Sequence, residues 1–120
     1  MEKTQPFENA EVLDKQTVFQ NEFEKLTSIF AEVEESKRKL VAGLIQEAAF
    51  LYAENYELRN MLKLTGMIRI NPDIPSQQKP IPAAAQYLKN LNSYAVVVKT
   101  LNGVLSKNII EPDDGMEEFE

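Results

Sequence analysis

Apolar positions along this chain fall into three stretches of helical period separated by two breaks. From residue 16 onward, Phe19, Phe23, Leu26, Phe30 and Val33 follow one another at alternating spacings of four and three. That spacing sets them on one stripe of a helix, with Glu22, Glu24, Lys25 and Glu32 on its other faces. Glu34, Glu35, Ser36 and Lys37 then form a polar break in which Ser36 is a candidate cap for the next helix; a helix running on through these residues is the alternative.

The second helix is predicted over residues 37–64, with no proline and one interior glycine, Gly43. At about 1.5 Å per residue it is roughly 40 Å long. Leu40, Leu44, Ala48, Leu51, Leu58 and Leu62 make one apolar stripe, and Val41, Ile45, Ala49, Tyr52 and Tyr56 make a second beside it. Gly66 follows where a C-terminal capping glycine belongs. Residues 65–82 read as the main connection, because Pro72, Pro75, Pro80 and Pro82 exclude regular helix, while Met67, Ile68 and Ile70 suit a short extended piece. Pro82 suits the first position of a third helix, since its missing N–H would be unpaired there anyway. Ala84, Tyr87, Leu88, Leu91, Tyr94, Ala95, Val98, Leu101 and Leu105 carry that helix to about residue 106.

The expected fold is therefore all-α: three helices, the long one and the C-terminal one forming an antiparallel hairpin, a proline-rich connection, and a disordered acidic tail. The expected organisation is a flexible N-terminal arm over residues 1–15, a helical domain over 16–106 and the tail over 107–120. Two adjacent stripes on one helix exceed what a single short partner covers, so an apolar face is left over and calls for a partner. Self-association around a ring satisfies it most simply, through Leu44, Ala48, Leu51, Tyr52, Leu58, Tyr87, Leu91, Tyr94, Val98 and Leu101. The alternative is a monomeric bundle in which the first helix covers everything.

Charge changes this picture. The total is −6, but residues 1–36 hold three lysines against nine carboxylates, residues 37–107 hold ten cations against four, and residues 111–120 hold six carboxylates and no cation. A basic middle lies between two acidic ends, and the sum hides it. Lys37, Arg38 and Lys39 form the densest cluster, with Arg59, Lys63 and Arg69 toward the far end of the long helix; these six are the candidates for neutralising DNA phosphates, the alternative being a solvated face. Tyr52, Tyr56, Tyr87 and Tyr94 suit base stacking by chemistry, but their helical spacing favours packing. In the tail, Met116 and Phe119 are two apolar anchors among acids, suited either to docking on a basic partner or to a solubilising end.

Candidate catalytic chemistry is thin. With no histidine and no cysteine, the commonest acid–base group, nitrogen ligand and thiolate are missing, and no phosphate loop, dinucleotide fingerprint or nucleophile elbow occurs. The expectation is a non-enzymatic protein without a cofactor or small-molecule substrate. No signal peptide or apolar run of about 18 residues is read here, so no membrane association is expected and the cytoplasm is the expected compartment.

Three stretches carry a resemblance. Leu44-Ile45-Gln46-Glu47-Ala48-Ala49-Phe50, then Gly66 with Asn71-Pro72, then Ala85-Gln86-Tyr87-Leu88 through Tyr94 to Val98-Lys99-Thr100-Leu101 resemble the short terminase small subunits of tailed phages and prophages. The resemblance implies a ring-forming subunit that recognises double-stranded viral DNA, recruits the terminase large subunit with its ATPase and nuclease, and regulates that motor. It also implies the host cytoplasm as its location and a large-subunit contact in the C-terminal segment, with Met116 and Phe119 as its anchors. Many small terminases carry a separate N-terminal helix-turn-helix; residues 1–36 are acidic and too short for one, which leaves the basic middle as the candidate DNA-contacting region.

Overall fold

The computed structural model describes residues 12–110. It contains three helices, α1 (Lys15–Ile29), α2 (Glu35–Thr65) and α3 (Pro82–Ile110), with two short strands, β1 (Ile68–Ile70) and β2 (Gln78–Pro80), between α2 and α3. Among the described residues no helix is long and apolar enough to cross a membrane. The acidic segment 111–120, with Met116 and Phe119, and residues 1–11 of the arm lie outside the described residues.

Helix α1 begins at an Asp14 cap, whose carboxylate accepts from the Thr17 N–H at 2.7 Å. That hydrogen bond is the main reason the Asp14 carboxyl is held below its ordinary range. The preceding residue is tied down too, because the Leu13 N–H donates to the Tyr56 hydroxyl at 3.1 Å. The break after α1 comes earlier than the polar residues suggest. The helix ends at Ile29, and residues 30–33 turn so that Phe30 and Val33, 3% and 4% exposed, drop into the core. Burial of those two side chains, rather than the polarity of Glu34–Lys37, places the break. Ser36 is consequently inside α2, not at its cap; Glu34 holds that position without a side-chain bond, and its carbonyl accepts from the Lys37 and Arg38 N–H groups. The continuous-helix alternative is excluded by the same turn.

Helix α2 is the central element, packed by α1 and by α3. Its inner positions Val41, Ala48, Asn55 and Leu62 recur every seven residues and are all buried, and the small side chains of Ala48, Ala49 and Ala53 let both neighbours approach closely. Helix α3 runs back antiparallel to α2 and continues to Ile110, past the expected end near residue 106. The register is fixed where the Asn55 Nδ2 donates to the Tyr87 carbonyl at 3.1 Å. The core proper joins Phe30, Val33, Val41, Ile45, Ala48 and Leu101. Leu40, counted in an apolar stripe, is 80% exposed, because it sits one position off the buried line at the start of α2. Glu22 departs from expectation in the opposite sense: it is 5% exposed, being in line with Val18, Leu26 and Phe30 on the inward side of α1.

Connection 66–81 folds back on itself. Gly66 turns the chain with φ of 76°, and β1 pairs antiparallel with β2 in the register Ile68↔Pro80, Arg69↔Lys79, Ile70↔Gln78. The bonds from the Ile81 N–H to the Met67 carbonyl and from the Asn71 N–H to the Gln77 carbonyl bracket the ribbon. By the alternation of an antiparallel ladder, Pro80 therefore falls in a non-hydrogen-bonded pair, where its missing N–H costs nothing. Strand β1 answers the short extended piece expected at Met67, Ile68 and Ile70. Strand β2 was not foreseen, because Pro80 within it and Pro75 and Pro82 nearby read as breakers.

Candidate assembly and nucleic-acid surfaces

Two parallel lines of side chains run along the α2–α3 seam, and they differ in cover. The inner line, Val41, Ala48, Asn55 and Leu62 on α2 with Leu101 on α3, is buried, and at its Val41–Ala48 end Phe23 and Leu26 of α1 pack onto the core beside Tyr94. The outer line, Leu44, Leu51 and Leu58 on α2 with Leu91, Val98 and Leu105 on α3, also repeats every seven residues but is only half-covered. Such a repeat is the seam of a coiled coil, whose apolar positions want a facing helix. Leu88 and Leu91 are 48% and 44% exposed, and Phe50 on α2 is 52% exposed.

The ten predicted interface residues divide along the same lines. Leu44, Leu51, Leu58, Leu91 and Val98 keep area to offer a neighbour. Ala48 and Leu101, 0% and 3% exposed, have none, and are corrected to core residues of the subunit itself. Tyr94 is half-buried, its ring tilted against Tyr52 at 6.1 Å, and its hydroxyl donates to Glu22; Tyr52 also lies beneath the Lys25 ammonium at 6.0 Å. Tyr87 is half-buried and spends its carbonyl on Asn55. Phe50 and Leu88 belong to the exposed apolar surface but were missed as interface candidates. Leu88 lies one turn before Leu91 of the outer line, whereas nothing in the heptad spacing marks Phe50, which stands about 100° around α2 from Leu51.

The six cations predicted to meet DNA do not converge. Lys37, Arg38 and Lys39 sit in the first turns of α2, and Arg59, Lys63 and Arg69 at its far end and on β1. At about 1.5 Å per residue the two groups are some 30–40 Å apart. Lys37 is half-buried beside Leu40, Val41, Val104 and Lys107 around a hollow of about 170 Å³, Arg38 is exposed, and Lys39 pairs with Glu35 at 3.6 Å. At the other end, Arg59 stacks near the Tyr56 ring at 5.9 Å, and Arg69 faces Lys79 across the ribbon. Lys79 and Lys107 join these groups through the fold; neither stands out in sequence, each being a lone cation. Residues 58–107 hold seven cations and one carboxylate, Asp73, so the ribbon and α3 make the positive half of the molecule.

Arg69 and Lys79 line an open hollow of about 750 Å³ with Asn71, Pro72, Ser76 and Gln77. Among the described residues no group of three or more acidic side chains is placed to hold a metal ion. No family model matches this sequence, and no curated protein or solved structure is significantly similar to it.

Proposed function

We propose that this chain is a terminase small subunit: a homo-oligomeric adaptor that recognises viral DNA and recruits and regulates a large ATPase/nuclease subunit for genome packaging. The observation that carries the reading is the half-covered outer heptad line of the α2–α3 hairpin, which includes exposed Leu91, with exposed Leu88 one turn before it. An antiparallel hairpin with one dry seam and one wet seam is completed by another hairpin, and repetition of a heterologous contact closes a ring. The resemblance in the 44–50, 66–72 and 85–101 stretches points the same way, and the positive half supplies the charge that a DNA-handling ring needs. In this reading the chemistry belongs to the large subunit, the chain is not itself an enzyme, and Met116 and Phe119 are the candidate contacts to that partner.

Multi-angle light scattering with duplex binding at low and high salt tests the proposal. The expected result is a discrete multiple of the 13.7 kDa chain that binds duplex at low salt and releases it steeply as salt rises. A single compact chain at micromolar concentration sinks it. The rival is a helical regulatory module that pairs with a protein and never touches DNA, favoured by the net charge of −6 and the separation of the two cation groups. A discrete dimer indifferent to DNA would establish that rival.

A further inference from the structure

The β1–β2 ribbon stands almost alone. All six strand residues are exposed, and the strands pack chiefly on each other. An isolated two-stranded ribbon is marginal in water, yet this one has a built tip. The Asn71 Oδ1 accepts from the Asp73 and Ile74 N–H groups at 2.9 and 3.3 Å, and the Asn71 Nδ2 donates to the Gln77 Oε1 at 3.0 Å. Within it, Arg69 stands directly opposite Lys79, and neither has an ion-pair partner among the described residues. Like charges opposed on a ribbon destabilise it. An anion between or above them reverses that penalty.

We propose that this ribbon is a duplex-DNA-binding arm whose Arg69–Lys79 face enters the major groove; the assignment rests on the DNA-handling reading above. Strand alternation puts Asn71 and Gln77 on the same face as the two cations, and Ile68, Ile70 and Pro80 on the other. The major groove admits a two-stranded ribbon, and Arg and Lys bind phosphates and guanine edges, while the Asn71 and Gln77 amides hold the tip in shape. A membrane surface fits less well, because laying the Ile68–Ile70 face on lipid turns both cations away from the headgroups.

Fluorescence anisotropy of a labelled mixed-sequence duplex against the full chain, across a salt series, tests the arm. Three variants serve: Arg69→Gln with Lys79→Gln, Arg69→Glu alone, and Lys89→Gln with Lys99→Gln as an equal charge loss elsewhere on α3. The glutamine ribbon variant is expected to bind at least ~10-fold more weakly at low salt and to lose roughly two from the slope of log K against log salt, at about 0.9 per phosphate. The α3 control should lose less. Arg69→Glu creates a cross-strand pair with Lys79, so it should steady the ribbon, read as slower amide exchange at residues 68–80, while weakening DNA binding. Affinity that instead rises with ribbon order indicates a merely structural ribbon and overturns the proposal. Wild-type binding with no loss in the ribbon variants overturns the arm but leaves the DNA-handling reading standing. No wild-type DNA binding overturns both. Binding to vesicles of phosphatidylcholine and phosphatidylglycerol in place of duplex overturns the proposal in favour of a membrane surface.

Discussion

The Tyr94 hydroxyl donates to the Glu22 Oε2 at 3.5 Å, joining the first and last helices across 72 positions of sequence, while the other Glu22 oxygen takes Lys25 at 3.2 Å. Burial pushes the Tyr94 phenol above its ordinary 10.0, and the Glu22 and Tyr52 neighbours add to the shift. In the unfolded chain that tyrosine ionises near 10, while in the folded chain it keeps its proton longer. The stability it supplies is therefore complete below pH 10 and is lost as pH rises through the higher folded value. Urea unfolding at pH 9 and 11 should show the wild type losing more stability over that interval than Tyr94→Phe. Equal losses would mean that the phenol is not held protonated. At pH 7 the substitution should cost little, about 0.5 kcal/mol, because the bond is long.

Asn55 is the second polar group inside the packing. Its Nδ2 is satisfied by the Tyr87 carbonyl, while its Oδ1 is buried with no hydrogen-bond partner. Asn55→Asp replaces the donor with an acceptor facing a carbonyl and buries a charge. A loss of about 3 kcal/mol is expected at pH 7. A carboxyl so placed has a raised folded pKa, so the loss should shrink as pH falls through that raised value and reach its minimum near about pH 4, the unfolded carboxyl range. A loss that does not vary with pH would show the site to be wet.

Much of the helical fold was legible because period survives in sequence. Phe23, Leu26, Val41 and Ala48 report which side of each helix faces inward, and Pro82 and Gly66 mark real ends. What was not legible depends on where a third element lies. Nothing in the heptad of Leu44, Leu51 and Leu58 distinguishes it from that of Val41, Ala48 and Leu62 until the neighbouring helices bury the second line and leave the first half-covered. This is why Ala48 and Leu101 were assigned to an interface while Phe50 and Leu88 were passed over. Glu22 read as a surface carboxylate because composition cannot show that Lys25 and Tyr94 surround it. The cation candidates keep the places that the sequence assigns them, 37–39 at the start of α2 and 59–69 at and beyond its far end; what was not legible is the ribbon register that sets Lys79 opposite Arg69.

Two glycines should respond to alanine in opposite directions. Gly43 lies inside α2 with open space around it, so Gly43→Ala removes a helix-interior penalty and should raise stability by about 0.5–1 kcal/mol. Gly66 has φ of 76°, and the nearest atom to an added Cβ would be the Ile68 carbonyl oxygen at 3.9 Å. Space is adequate there and conformation is not, so Gly66→Ala should cost about 1–2 kcal/mol. Chemical denaturation of both variants measures the contrast, and a stabilising Gly66→Ala would refute the left-handed turn that leads into the ribbon.

Leu91 and Leu101 sit ten residues apart on α3, one 44% and the other 3% exposed, and they separate folding from assembly. Leu101→Ala opens a cavity against Val41, Ile45 and Ala48 and should cost about 2–5 kcal/mol of unfolding free energy. Leu91→Glu adds a charge to a half-wet position, where the subunit itself tolerates it, but a facing copy would have to desolvate it. The expected outcome is an unchanged helical circular-dichroism signal with a fall in solution mass toward the single chain, a pattern that Leu101→Ala cannot produce without loss of helix. If Leu91→Glu keeps the assembled mass of the wild type, copies do not meet along the outer heptad line, and the contact must be sought on the Ile68–Ile70 face of the ribbon.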